Sequence, residues 1–162
     1  MIAGFTTSIQ RCNGVDIAVH RAGKGTPLLL LHGYPQNHMC WELVAPQLAL
    51  NHDVIIPDLR GYGASSAPAN DAGNTTYSKR TMAQDMADLL TTLGIARADV
   101  LGHDRGARVS YCFALDHPDR PGRLGIIEIV PTGESLARCT ADLASDDQRW
   151  TLLAAAGTWH DR

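Results

Sequence analysis

The stretch Val100-Leu101-Gly102-His103-Asp104-Arg105-Gly106-Ala107-Arg108 constrains the chain more than any other. An apolar pair runs into a Gly-x-Asp-x-Gly turn, and a helix-compatible segment follows from Ala107 to His117, with Val109, Cys112 and Phe113 at helical spacing. The pattern predicts a strand, a sharp turn and a helix. Glycines at 102 and 106 suit a turn packed so closely that side chains there would collide with a neighbouring strand or helix, and the residue between them is held outward under strain. That residue is Asp104. A carboxylate so presented can attack an sp3 carbon, displace a leaving group and form an ester that water later opens. It needs no base for its own attack, since an aspartate side chain carries its charge at neutral pH. The plainer reading is an ordinary strand-to-helix connection in which Asp104 caps the helix.

The rest of the chain supplies context for that turn. Residues Thr6 to Arg11 and Val15 to Arg21 alternate apolar and polar around Cys12-Asn13-Gly14, where Asn-Gly marks a hairpin. Leu28 to Leu31 is a wholly apolar run of the kind found in parallel strands covered on both faces. It ends in His32-Gly33-Tyr34-Pro35, and Trp41, Val44, Ala45 and Leu48 then recur at helical spacing as core residues. Asp53 to Pro57 reads as a strand entering the glycine-bearing loop Asp58 to Ser66. A helix with Met82, Met86, Leu89, Leu90 and Leu93 on one stripe stops at Gly94, and Leu124 to Val130 reads as one more buried strand.

Strand and helix alternate from residue 28 to residue 130, which predicts an α/β fold with a mainly parallel sheet, an antiparallel N-terminal hairpin and flanking helices. Ligands of such sheets bind at the carboxyl ends of the strands, where the loops 32–35 and 58–65 and the turn at Asp104 converge. His32 reads as structural, and Asp58 with Arg60 as a self-satisfying turn.

Composition narrows the class. With 162 residues, 44% hydrophobic and 19% charged, one domain with a substantial core is expected. A net charge of -3 without a basic run argues against nucleic acid or membrane surfaces and leaves a small molecule as the expected partner. Cys12, Cys40, Cys112 and Cys139 lie far apart with no Cys-x-x-Cys pair, so neither a zinc site nor a disulfide framework is expected, and reduced thiols fit a cytoplasmic protein. The first residues show no basic start followed by a long apolar stretch, and no apolar run nears the roughly 18 residues of a membrane helix, so neither export nor a membrane span is expected. Gly61-Tyr62-Gly63-Ala64-Ser65-Ser66 lacks the third glycine of a dinucleotide fingerprint, and no cofactor or metal is expected.

Four motifs carry a resemblance: His32-Gly33-Tyr34-Pro35-Gln36-Asn37-His38 followed by Trp41, Asp58-Leu59-Arg60-Gly61-Tyr62-Gly63 with Ser65, Gly102 to Arg108, and Ala114-Leu115-Asp116-His117-Pro118. In this order they resemble the haloacetate (fluoroacetate) dehalogenases of the α/β-hydrolase superfamily, over roughly residues 15 to 133. The resemblance implies that Asp104 is the nucleophile, that Arg105 and Arg108 bind a substrate carboxylate, and that the backbone N–H groups of Tyr34 and Arg105 form the oxyanion hole. It places a triad acid at Glu128, where the family usually has aspartate. Two readings of Glu128 stay open, the acid that orients an imidazole and a polar residue at a strand end. Arg108 has the alternative of pairing with an exposed acid.

The chemistry of a haloacid supports the arginines independently. Its carboxylate lies one carbon from the leaving halide, so attack by Asp104 brings two anions together, and a planar guanidinium can grip the incoming acid in bidentate fashion. In the family the histidine base follows the acid after a cap and further strands. Here His160 is the only histidine after Glu128, and neither it, His103 nor His117 is expected to serve. Trp150 is a candidate remnant of the family's halide donors. Residues 1–133 are therefore expected to be the N-terminal part of an α/β-hydrolase core. Residues 134–162 are expected to be a divergent tail or the start of a cap, with the chain shifted or cut short near residue 134. The strand at 124–130 becomes an exposed edge with a route to homodimers. Two alternatives stand beside the dehalogenase reading: an epoxide hydrolase relative, and a silent fragment that keeps a carboxylate pocket.

Overall fold

Leu28 to Leu31 sit at the centre of the fold, and the period of two along a strand sends them to opposite faces. A computed structural model describes residues 1–129. In it Leu29 and Leu31 enter one core with Ile17, Val19, Met82, Met86, Val109 and Phe113. Leu28 and Leu30 enter a second with Trp41, Ala45, Val54 and Ile56. A strand buried on both faces is therefore apolar throughout.

The strands are β1 (Thr6–Cys12), β2 (Val15–Ala22), β3 (Thr26–Leu31), β4 (His52–Pro57), β5 (Ala98–His103) and β6 (Pro121–Ile127). Among the described residues they form a six-stranded sheet in the order β1-β2-β4-β3-β5-β6. The β1–β2 hairpin turns at Asn13 and Gly14, both in the left-handed region (φ 46° and 77°), as an Asn-Gly turn requires. β2 pairs antiparallel with β4, and β4, β3, β5 and β6 run parallel. The predicted α/β fold and N-terminal hairpin are thus present.

Helices cover both faces. α1 is Ala45–Leu48, α2 Lys79–Thr92 and α3 Arg105–Asp116. Gly94 (φ 70°) ends α2, as the sequence predicts, and Ser78 caps its start by accepting the Thr81 N–H. No helix among the described residues is long and apolar enough to cross a membrane.

Two expectations need correction. The single helix expected around Trp41 to Leu48 is a 3-10 turn, His38–Trp41, followed by the short α1, with Val44 exposed between buried Trp41 and Ala45. Pro46 explains the break: without an N–H it fits only the first turn of a helix, so the helix restarts there. β6 begins at Pro121 rather than Leu124 and is not buried; Leu124, Ile126 and Ile127 are exposed, since among the described strands only β5 flanks it. Val130, expected at its end, lies outside the described residues.

Candidate active site

The turn between β5 and α3 holds Asp104 at φ 50°, ψ -115°, a conformation L-residues seldom adopt, and its side chain makes no capping hydrogen bond to α3. The capping alternative therefore fails. A Cβ on Gly102 would stand 2.5 Å from the Gly106 carbonyl oxygen, and one on Gly106 would stand 2.3 Å from that of Leu31. Both glycines are needed because helix, turn and β3 meet at backbone contact. Asp104 N–H donates to the Ile127 carbonyl at 3.1 Å, tying the turn to the end of β6.

The loop after β3 meets this turn. Tyr34 N–H donates to Asp104 Oδ1 at 2.9 Å. The peptide carrying that N–H is held at its other end by His32, whose Nδ1 lies 2.9 Å from the Gly33 carbonyl. His32 Nε2 accepts the Leu59 N–H at 3.0 Å, so Nδ1 bears the hydrogen. Burial lowers its pKa, which keeps the ring neutral and structural.

Arg105 opens α3 with its guanidinium carbon 5.5 Å from the Tyr34 ring centre and 6.0 Å from that of Tyr62. Cation–π attraction at these distances brackets the charge between two aromatic faces beside the nucleophile. Tyr62 is braced in turn by an edge-on contact with His32. Arg108 lies half-buried on α3.

Glu128 follows β6, exposed and with φ 61°. Its Oε2 lies 2.6 Å from His103 Nε2. His103 Nδ1 lies 3.1 Å from Gln36 Oε1, the same atom that accepts the Gly33 N–H at 3.1 Å. Glu128 thus meets an imidazole, but the one preceding the nucleophile. Sequence reasoning passed over Gln36 and Tyr62, although both stand inside the quoted motifs, and took His103 only as a poor base. Trp150 falls outside the described residues.

Asp58 and Arg60 do not form a self-contained turn. Asp58 is fully buried and accepts N–H groups from Ala64 (2.9 Å) and His38 (2.8 Å), with His38 Nδ1 at 2.9 Å. Burial alone would raise its pKa, but these donors outweigh it and hold the carboxyl below its ordinary range. Arg60 instead reaches Asp85 on α2. The side chains had to choose partners 20 and 25 residues away, which no local pattern encodes.

His20, His38 and Asp58 bring three ligand-type atoms within 4.8 Å of one another. The two rings, however, stack at 3.4 Å with planes 20° apart. Planes so arranged meet roughly 9 Å away, far beyond a metal–nitrogen bond of about 2 Å, so the in-plane lone pairs do not converge on one ion.

The sheet order, the strained acidic turn and the backbone donor aimed at it define an α/β hydrolase. The α/β hydrolase fold family matches residues 26–152, and the chain belongs to it. It is similar to the fluoroacetate dehalogenase of Burkholderia sp., 45% identical over 132 residues that make up 82% of this chain and 43% of that protein. The soluble epoxide hydrolase of Corynebacterium sp. is 44% identical over 119 residues, 74% of this chain and 40% of that one. The crystal structure of a candidate α/β hydrolase from Nostoc sp. PCC 7120 superposes with a TM-score of 0.91 at 44% identity, covering 94% of this chain and 53% of that one. The chain therefore spans about two-fifths of the length of these curated relatives.

Proposed function

We propose that Asp104 is the nucleophile of a hydrolase that removes halide from short 2-haloacids. One observation carries the reading: Asp104 sits in a left-handed turn without a capping bond to α3, and the Tyr34 N–H donates to its Oδ1, the oxygen that becomes the ester carbonyl once Oδ2 attacks. Oδ2 forms a bond to the carbon bearing the halogen, the carbon–halogen bond breaks, and the halide leaves with its electron pair. Arg105 and Arg108 grip the substrate carboxylate and offset its repulsion from Asp104. Two charge-assisted contacts at about 1.5 to 3 kcal/mol each give about 3 to 6 kcal/mol, a range that spans the roughly 4 kcal/mol of millimolar binding.

Water then adds to the ester carbonyl, whose oxygen is received by the N–H groups of Tyr34 and Arg105. The intermediate collapses to the hydroxy acid and the Asp104 carboxylate, releasing one proton to a base. Glu128 stands at the family's acid position, and its carboxylate meets His103. After Glu128 the sequence holds one histidine, His160, outside the described residues. General base catalysis of this second step is worth roughly 100- to 10,000-fold, so the ester on Asp104 accumulates in any form of the protein in which no base reaches it.

A second reading, epoxide opening through the same ester, is favoured by the likeness to the Corynebacterium epoxide hydrolase. Arg105→Leu separates the two, because a neutral epoxide gains nothing from a guanidinium. Chloroacetate esterification that Arg105→Leu abolishes supports haloacids; styrene oxide opened at the same rate with and without Arg105, and no chloroacetate ester in either form, supports epoxides. Acetate binding without an adduct from either substrate would mark the site as a carboxylate pocket alone.

A further inference from the structure

We propose that Gln36, His103 and Glu128 form a positioning relay for the Tyr34 N–H, and that Glu128 acts on the reaction through His103. The proposal rests on the reading of Asp104 as nucleophile.

The relay joins three loops at the carboxyl end of the sheet. Glu128 Oε2 meets His103 Nε2 at 2.6 Å, His103 Nδ1 meets Gln36 Oε1 at 3.1 Å, and Gln36 Oε1 accepts the Gly33 N–H at 3.1 Å. The next N–H along the chain is that of Tyr34, which points at Asp104 Oδ1. Because the Gly33 N–H can only donate, it fixes Gln36 Oε1 as an acceptor, and His103 Nδ1 must then supply a hydrogen. The second ring nitrogen is engaged by the carboxylate. Both ring nitrogens thus face protein partners, Gln36 on one side and Glu128 on the other. The work of His103 is to hold Gln36 in place, and through it the backbone that carries the donor.

Side-chain length matters in this relay. Glu128 leaves β6 in a left-handed conformation and still spans to His103. An aspartate would withdraw the carboxylate by about one C–C bond, roughly 1.5 Å, and break the contact. Glu128→Asp therefore separates two roles. An acid that orients a separate base tolerates the shorter carboxylate, whereas a relay through His103 does not.

The test uses the 162-residue chain with Gln36→Leu, Gln36→Glu, Glu128→Asp and Glu128→Gln variants. Chloroacetate esterification of Asp104 is followed by mass spectrometry, and the Tyr34 amide by 1H–15N correlation without substrate. Gln36→Leu and Glu128→Asp are expected to slow esterification by roughly 10-fold or more, since a 1 Å misplacement near a reacting centre costs up to about 100-fold. They also shift the Tyr34 amide resonance. Gln36→Glu and Glu128→Gln keep an acceptor in reach and recover most of the rate and the shift. An unmoved Tyr34 amide in Glu128→Asp overturns the relay. If that amide moves as expected but no protein forms the ester, the relay stands and the nucleophile assignment falls.

Discussion

A Cβ on Gly33 would stand 2.6 Å from the Cβ of Asp104 and 2.9 Å from its Oδ1. The loop after β3 can deliver the Tyr34 N–H to the carboxylate only because residue 33 has no side chain. Gly33→Ala is expected to displace the loop and lower chloroacetate esterification by roughly 100-fold, the loss that a 1 Å shift near the reacting atoms brings. Initial rates measured beside the thermal unfolding midpoint check this. An unaltered rate would remove the Tyr34 N–H from the site.

Arg60 and Asp85 form a buried pair. Arg60 Nε donates to Asp85 Oδ2 at 2.6 Å, a second guanidinium nitrogen binds Oδ1, and a third donates to the Thr76 carbonyl at 2.9 Å. Asn13 Nδ2 adds a bond to Asp85 Oδ1 at 2.8 Å, so the pair locks the hairpin, the loop after β4 and α2 together. Arg60→Met strands a carboxylate in the core and is expected to destabilise the fold by about 3 to 5 kcal/mol, most of which Arg60→Met with Asp85→Leu recovers. Urea titrations of the single and double variants measure both. Equal losses in the two would contradict the claim that the unpaired charge is what costs stability.

Acid should weaken the fold in a defined window. His20 is held below its ordinary pKa of 6.5 by burial and by the neighbouring His38, and His32 by burial. As pH falls through about 6.5 the unfolded chain takes up these protons first, so stability drops until the folded state protonates too. Each ring contributes up to about 1.4 kcal/mol per pH unit. Asp58, with its pKa lowered, adds its own loss only below the ordinary carboxylate range. Urea midpoints should fall between pH 7 and pH 5, less steeply in His20→Gln. A flat profile would show that these rings are not held neutral.

Most of the scaffold was legible in the sequence because local patterns and tertiary needs agree there. The Asn13-Gly14 turn, the double-faced apolar run at Leu28 to Leu31, the stripe from Met82 to Leu90 and the glycines around Asp104 each have one low-energy solution, and each adopts it. The misses share another cause. Pro46 outweighed a helical spacing that looked continuous, and β6 was read as buried from apolarity alone. In the site, Asp104 and its turn were readable, whereas the partners of Asp58, Arg60 and Glu128 lie 20 to 25 residues away and follow from how strand ends align.

Chloroacetate incubation followed by peptide-resolved mass spectrometry tests the central claim most directly. A carboxymethyl group on the peptide holding Asp104, labile to mild base as an ester is and absent in Asp104→Asn, is the predicted result. Base-stable adducts confined to Cys12, Cys40, Cys112 or Cys139, with Asp104 unmodified, would contradict it.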